Sequence, residues 1–536
     1  MASRRDELNA YNFARKRTVA SFLKPLPNGS VESAPRPLRT VLPSMILGMV
    51  IVAGFGACGI IKPTAPKGWD KPGEKVIVGD QSTTRYVVLS GEKDENGKPT
   101  KFLHPVLNLA SARLLLDPEK FEVVKVKESE LDNGQVPMGP TIGIPYAPDR
   151  LPSVEDARTK KVWALCERPG NNEGGDPEHA VFVLNKEDEG RRKLVEGRNR
   201  LNERRSLYVK DPKGVEYLVD HRGVAHRLHA TYGLERQGQS VSAQKRVEQE
   251  GLLRRILFGQ GAEPQRVTKE FMDTLIESPL PIFLPPLANA GSPSRAKGVP
   301  QEHRIVGKVL ETSDDGGTQA YVVLEDRLAP VTDFVAEMLL EGPVGYEVNG
   351  GRTVEPVRVP QASVVPDKEW YLGEFGGRKS PWPEERSTRA NEVENPEGNH
   401  VVCSVYHGGE RELYGQSLKV PELSVWAGKV YPATTTEAGR NTYVSPGSGL
   451  LYRQVTATGK SGALFLVTDT GLRYSVPVNT DTSDKAGKKD DKRNEAQIRL
   501  GYGDISQPPT VPKQWSELLS AGPVLSTEAA RQPQGA

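Results

Sequence analysis

Two lysines sit in glycine-containing turns of the kind that can grip a phosphate: "GEKDENGKPT" at residues 91–100 and "GKS" at residues 459–461. A phosphate loop requires G-x-x-x-x-G-K-[ST], because backbone N–H groups cradle the phosphates, the lysine reaches the terminal ones and the hydroxyl holds Mg²⁺. In the first stretch five residues separate the glycines and Pro99 takes the hydroxyl's place; in the second, Gln454 stands where the first glycine belongs. Both read as hairpin turns, not as the strand-to-helix turn that aims amides at an anion. "HRGVAHRLH" places His221, His226 and His229 close together. On a strand His221 and His226 face opposite sides, and no cysteine lies near enough to complete a closed zinc shell, so they read as solvated or packed histidines. No Ser-His-Asp set or carboxylate pair stands out. No catalytic, cofactor-binding or metal-ligating residue is assigned.

The remaining reactive side chains are three cysteines, Cys58, Cys166 and Cys403. Cys58 lies near the end of the stretch with least charge, "VLPSMILGMVIVAGFGACGII" at residues 41–61. A helix of that length covers roughly 30 Å, the hydrocarbon thickness of a bilayer. Pro43 falls in the first turn, where its missing N–H has no intrahelical partner to lose. A cleaved signal would have a short basic start and a shorter apolar run. "FGAC" loosely resembles a lipoprotein box, but a cut there would discard an unusually long leader. The stretch is expected to be one transmembrane helix, with Cys58 an unreactive thiol inside lipid.

The flanks orient it. Arg4, Arg5, Arg15, Lys16, Arg17, Lys24, Arg36 and Arg39 precede the run against only Asp6, Glu7 and Glu32, whereas the lysines just after it are largely balanced by acids. Positive charge stays on the cytoplasmic side, so the N-terminus is expected inside and residues 62–536 outside, at the plasma membrane. Over all 536 residues, 71 basic and 69 acidic side chains leave a net charge of +2, which excludes a global field for recruiting nucleic acid. A mean hydropathy of −0.51 marks nearly everything beyond the span as water-compatible. Cys166 and Cys403 both fall in the exported part, an oxidising setting, and form a candidate disulfide; two separate buried thiols are the alternative. If formed, the bridge closes a loop of more than two hundred residues, for which chain entropy gives on the order of 5 kcal/mol as an upper limit.

Ser3 followed by Asp6 gives a capping-box pattern ahead of a helical run to Leu23, with Leu8, Tyr11, Ala14, Thr18 and Phe22 able to share a face. Leu8, Tyr11, Phe13, Arg15 and Arg17 are the candidate cytoplasmic partner-binding residues; a basic strip lying on the anionic inner leaflet is the competing reading. Residues 24–37 follow as a Pro- and Ser-containing linker.

Beyond the span "YVVLSG" (residues 86–91) recurs as "YVVLED" (321–326), and each precedes an apolar helical pattern. A second pair, residues 209–228 and 455–476, shares short strands separated by Asp/Gly turns, a hairpin signal. The order A, B, A′, B′ implies internal duplication. The fold class expected is α+β: a short cytoplasmic helix, one transmembrane helix, and an elongated extracytoplasmic domain of four strand-rich repeats around a central β-containing domain. The boundaries are 1–40 for the cytoplasmic helix and linker, 41–61 for the span, 62–150, 201–300, 301–345 and 441–536 for repeats one to four, and 151–200 with 346–440 for the central domain. Residues 169–179, 377–398 and 479–497 read as solvated loops or disordered insertions.

"LNAYNFARKR", the single span, "LHPVLNLASARLLL", "GPTIGIPYAPDRLP", "YVSPGSGLL", "LFLVTDTGLRYSV" and "LGYGDISQPPTVPKQWSELLSAGPVLSTEAA" together resemble the EccB component of actinobacterial type VII secretion systems, nearly end to end. The family commonly carries arginine after the tyrosine of the first block, where Asn12 stands here, and the loop at 377–398 is longer than usual. The resemblance implies a single-pass, membrane-embedded core subunit standing with EccC-, EccD- and EccE-like subunits and self-associating through its ectodomain, with no nucleic acid. Small residues four apart in the span, such as Ser44 with Gly48, permit close helix approach, although glycine is common in membrane helices generally. ATP hydrolysis is attributed to the family, but no phosphate loop is readable. An extracytoplasmic ATPase and a free-standing cell-wall-binding protein are the competing functions.

Overall fold

The computed structural model describes residues 3–23, 37–60, 65–93, 99–170, 175–185, 189–314, 317–352, 355–373, 380–395, 397–413, 419–433, 441–456, 462–477 and 495–534. Two compact units divide the chain: Met1–Asp70, Ile77–Thr83 and Val124–Val136 form one, and Lys71–Val76, Thr84–Val123 and Pro137–Ala536 the other.

In the smaller unit Arg4–Leu23 is helical. Its start is closed as the capping pattern predicts, with the Ser3 N–H and hydroxyl both donating to Asp6 Oδ2 at 3.0 and 2.9 Å. Those two donors hold the exposed Asp6 carboxyl below its ordinary range. Pro37–Ile60 forms a second helix of 24 residues, with Pro43 accommodated inside it. Val41, Leu42, Met45, Ile46, Met49, Val50 and Phe55 are all exposed on it. Among the described residues no helix is long and apolar enough to cross a membrane. The side chains of 56–60 and residue 61 lie outside those described, so the span expected at 41–61 is treated as a proposal below. In the same unit Glu128 takes hydrogen bonds from the Gln81 and Ser82 N–H groups at 2.9 and 2.8 Å. They hold its exposed carboxyl down at about 2.

The larger unit is α+β and rich in short sheets. A five-stranded sheet runs in the order Lys419–Gly428, Val401–Glu412, Val162–Arg168, Glu178–Leu184, Thr442–Val444. Its strands come from two distant parts of the chain, because Val162–Arg168 pairs antiparallel with Val401–Glu412. The period-two pleat sends Trp163 and Leu165 to one face and Val162, Ala164 and Cys166 to the other, and both faces are buried in separate apolar clusters. Such two-sided burial explains why these strands read as continuous apolar runs.

Arg205–Lys210, Glu216–Val219 and Val224–Arg227 make an antiparallel meander flanked by the short parallel strands Gln265–Arg266 and Ile276–Glu277. Leu450–Val455, Leu464–Val467 and Leu472–Val476 repeat that arrangement, flanked in parallel by Thr510–Pro512 and Ser520–Ala521. The meander turns are set by aspartate and glycine. Asp220 Oδ1 accepts from the Arg222 and Val224 N–H groups, and Gly223 adopts φ +75°, which a side chain would strain.

The two "YVVL" segments also match. Arg85–Lys93 pairs antiparallel with Pro99–Pro105 and leads to the helix Leu109–Leu115 capped by Asn108. Gly317–Val323 pairs with Leu328–Val331 and leads to the helix Asp333–Glu341 capped by Thr332. Both caps accept a backbone N–H through the side chain, which is why each helix starts immediately after its strand.

Three features depart from the sequence reading. Val357–Arg358 pairs with Val309–Asp314, so that sheet takes an edge strand from beyond residue 345. Thr388–Arg389 pairs with Arg205–Lys210, joining residues assigned to the central domain to the first meander. The described part of 377–398 is not a solvated loop. Trp382 is fully buried, donates its indole N–H to the Pro281 carbonyl at 3.0 Å and meets Phe283 edge-on with ring centroids 4.8 Å apart. Two-residue strands carry no readable periodicity, and a lone tryptophan among Arg, Glu and Pro gives no burial pattern.

Candidate functional site: the bridged central sheet

Opposite residues in an antiparallel pair bring their Cβ atoms close enough for the sulfur atoms they carry to bond, and Cys166 lies directly opposite Cys403. Their Sγ atoms are 2.07 Å apart, a disulfide linking strands 237 residues apart in sequence. Both cysteines are buried, so the bridge is sealed from solvent thiols.

The next residue on the strand, Glu167, is also buried. Its carboxylate accepts from the Thr268 N–H at 2.9 Å and from the Thr268 hydroxyl. Thr268 in turn caps the helix Lys269–Thr274. Desolvation raises the carboxyl to about 7; the Thr268 hydrogen bonds oppose that and the Glu270 charge adds to it. This glutamate therefore ties the central sheet to the segment between the edge strands Gln265–Arg266 and Ile276–Glu277 of the second sheet.

At the other end of the strand, Lys161 is 1% exposed. Its ammonium donates to Asp156 Oδ1 at 2.5 Å and to the Asp156 carbonyl at 3.0 Å. Asp156 also accepts from Asn185 Nδ2 at 2.9 Å, Ser448 Oγ at 3.0 Å and the Gly449 N–H at 2.7 Å. Ser448 and Gly449 belong to "YVSPGSGLL", so the node ties that segment to the central sheet.

A third set of contacts joins the last residues to the first hairpin region. Arg113 donates to the Leu500 carbonyl, Arg499 to the Leu116 carbonyl and Tyr502 to the Pro152 carbonyl, at 3.2, 2.7 and 2.9 Å. Gln534 hydrogen-bonds Thr141 and Gly143, each at 2.8 Å. Residues 113–152 and 499–534, far apart in sequence, are thus held against one another.

Of the residues singled out from sequence, the structure brings Cys166 and Cys403 together. Leu8, Tyr11, Phe13, Arg15 and Arg17 all stand exposed on Arg4–Leu23, Tyr11 at 67%. Leu8 with Tyr11, Tyr11 with Arg15 and Phe13 with Arg17 are at helical neighbour spacing. Both lysine-containing turns connect antiparallel strands: Lys93 lies opposite Pro99, and Leu450–Val455 pairs with Leu464–Val467. Residues 94–98 and 457–461 themselves lie outside those described. His226 is fully buried with Nε2 at 3.7 Å from Asp220 Oδ2, and His229 Nε2 lies 3.3 Å from Glu235. Burial lowers the His221 pKa. Among the described residues no group of three or more His, Cys, Asp or Glu is placed to hold a metal ion. Sequence reasoning missed Asp156, Lys161, Glu167 and Ser448, because single polar residues at strand ends read as solvated.

The described residues thus make a sheet-rich body whose distant segments are stapled together by a disulfide and buried polar contacts. A family model described as "Type VII secretion system ESX-1, transport TM domain B" matches residues 1–536, and the chain belongs to that family, the EccB family of type VII secretion components. It is similar to the ESX-1 secretion system ATPase EccB1 of Mycobacterium tuberculosis (strain H37Rv), 25% identical over 92% of this chain and 86% of the relative. The ESX-3 secretion system ATPase EccB3 of Mycolicibacterium smegmatis is 27% identical over 91% of this chain and 83% of its own. The fold is shared with a chain of an intact ESX-5 inner membrane complex, with TM-score 0.52, 19% identity and coverage of 100% of this chain and 96% of that one. It is shared also with the EccB3 dimer from the ESX-3 core complex, with TM-score 0.52, 21% identity and coverage of 85% and 99%.

Proposed function

We propose that this protein is a non-catalytic structural core subunit of a type VII secretion membrane complex, anchored by one helix and organising the export channel outside the membrane. The observation that carries the reading is the family match across residues 1–536. The 24-residue helix Pro37–Ile60, with its exposed apolar side chains, supports a single span, and the excess of Lys and Arg before it supports an N-terminus facing the cytoplasm. The basic helix Arg4–Leu23 then docks cytoplasmic parts of EccC-, EccD- or EccE-like subunits through Leu8, Tyr11, Phe13, Arg15 and Arg17. The matched pairs of strand units support an ectodomain of four repeats around the bridged central sheet, and the solved EccB3 dimer supports self-association through it.

The relatives are named ATPases, which makes hydrolysis the second reading. The hairpin setting of both lysine turns favours the structural one. Purified full-length protein assayed for Mg·ATP turnover separates them: no turnover above buffer is expected, and hydrolysis abolished by one point substitution would establish the ATPase.

A further inference from the structure

A buried ammonium has no task in a scaffold beyond pairing, yet the surroundings of Lys161 are those of a reacting group. Val162 pairs with Leu184 at the end of the antiparallel ladder, and Lys161 and Asn185 are the next residue on each chain. Opposite side chains in such a pair start about 5 Å apart at Cβ, within easy reach of a lysine. Both meet the same carboxylate oxygen: Asp156 Oδ1 lies 2.5 Å from Lys161 Nζ and 2.9 Å from Asn185 Nδ2. The Gly449 N–H donates to the second oxygen, Oδ2, at 2.7 Å, and Ser448 Oγ reaches both, Oδ2 at 3.0 Å and Oδ1 at 3.2 Å. Oδ1 is thereby aimed at amine and carboxamide together. Lys161 is 1% exposed, so water competes poorly for the proton or for the carbonyl carbon.

We infer that Lys161 and Asn185 join in an intramolecular isopeptide bond, with Asp156 moving the proton. The ammonium passes a proton to Asp156 Oδ1, leaving a neutral amine. A half-turn of the carboxamide brings its oxygen to the protonated acid, which polarises the carbonyl. Nζ adds to Cγ of Asn185, forming the new C–N bond. A second lysine proton passes to Nδ2, the Cγ–Nδ2 bond breaks, and Nδ2 leaves as ammonia, which can collect the Asp156 proton as ammonium. No oxidant or other reactant is needed. Fixing amine and carboxamide side by side supplies the effective concentration that makes an otherwise sluggish transamidation feasible. The product fastens Val162–Arg168 to Glu178–Leu184 at one end, while the disulfide fastens it to Val401–Glu412 at the other.

The test is peptide mapping of full-length protein extracted from membranes, reduced and denatured. Arg168 precedes Pro169, a bond trypsin leaves intact, so the expected result is a single tryptic peptide of residues 161–186 that is uncut after Lys161 and lighter than its linear sequence by about 17 Da, one ammonia. Asp156→Asn is expected to restore cleavage after Lys161 and abolish the mass loss. A linear wild-type peptide ending at Lys161 with unmodified Asn185 overturns the proposal, whether or not any variant folds. A mass loss that persists in Asp156→Asn overturns the role given to Asp156.

Discussion

Glu167 is held where its charge is costly, so pH bears directly on the central sheet. Its folded pKa of about 7 lies above the ordinary carboxyl value. The stability it contributes is therefore fully present below the unfolded pKa of about 4.3 and is lost as pH rises through about 7. Melting temperatures should fall between pH 5 and pH 8. Glu167→Gln should flatten that slope and raise stability at pH 8 by on the order of 2 kcal/mol, read by thermal denaturation at each pH. An unchanged slope in the variant would show that Glu167 is not the titrating group. Ser448→Ala removes one donor to Asp156 while leaving the Gly449 N–H in place. It should cost about 1–2 kcal/mol in denaturant unfolding. At this scale the sequence was legible only for the cysteines, whose small number makes pairing a countable question. A glutamate or lysine closing an apolar strand reads as solvated, because those residues almost always are.

Among the elements, meanders and capped helices were readable where apolar alternation met Asp/Gly turns or a capping residue. The edge strands were not: Gln265–Arg266, Thr388–Arg389 and Val357–Arg358 are two residues long, too short for any period. They are held by the sheets they join, a tertiary cause absent from local sequence. The same applies to Trp382, which fills the cluster formed by Phe283, Phe334 and Val331. Trp382→Ala should cost about 3–5 kcal/mol, the usual penalty for emptying a buried aromatic site. Chemical denaturation of the variant measures it, and a loss under 1 kcal/mol would restore the solvated-loop reading. Removing the disulfide by Cys166→Ala with Cys403→Ala should lower stability by up to about 5 kcal/mol, less whatever structure the unfolded chain retains.

For the whole molecule, the recurrence of strand units and the pairing of two distant segments in a central sheet were legible in the sequence, while the short edge strands that cross the expected boundaries came only from the fold. Protease added to intact protoplasts should remove residues beyond 62 and spare Arg4–Leu23. Protection of the large part would reverse the orientation. The central claim is that the chain works as a structural member of a larger membrane assembly. The most direct measurement is the mass and composition of that assembly, extracted in detergent through a tag on this chain. The account predicts several copies of the chain recovered with other membrane subunits of a type VII system; recovery as a lone monomer would contradict it.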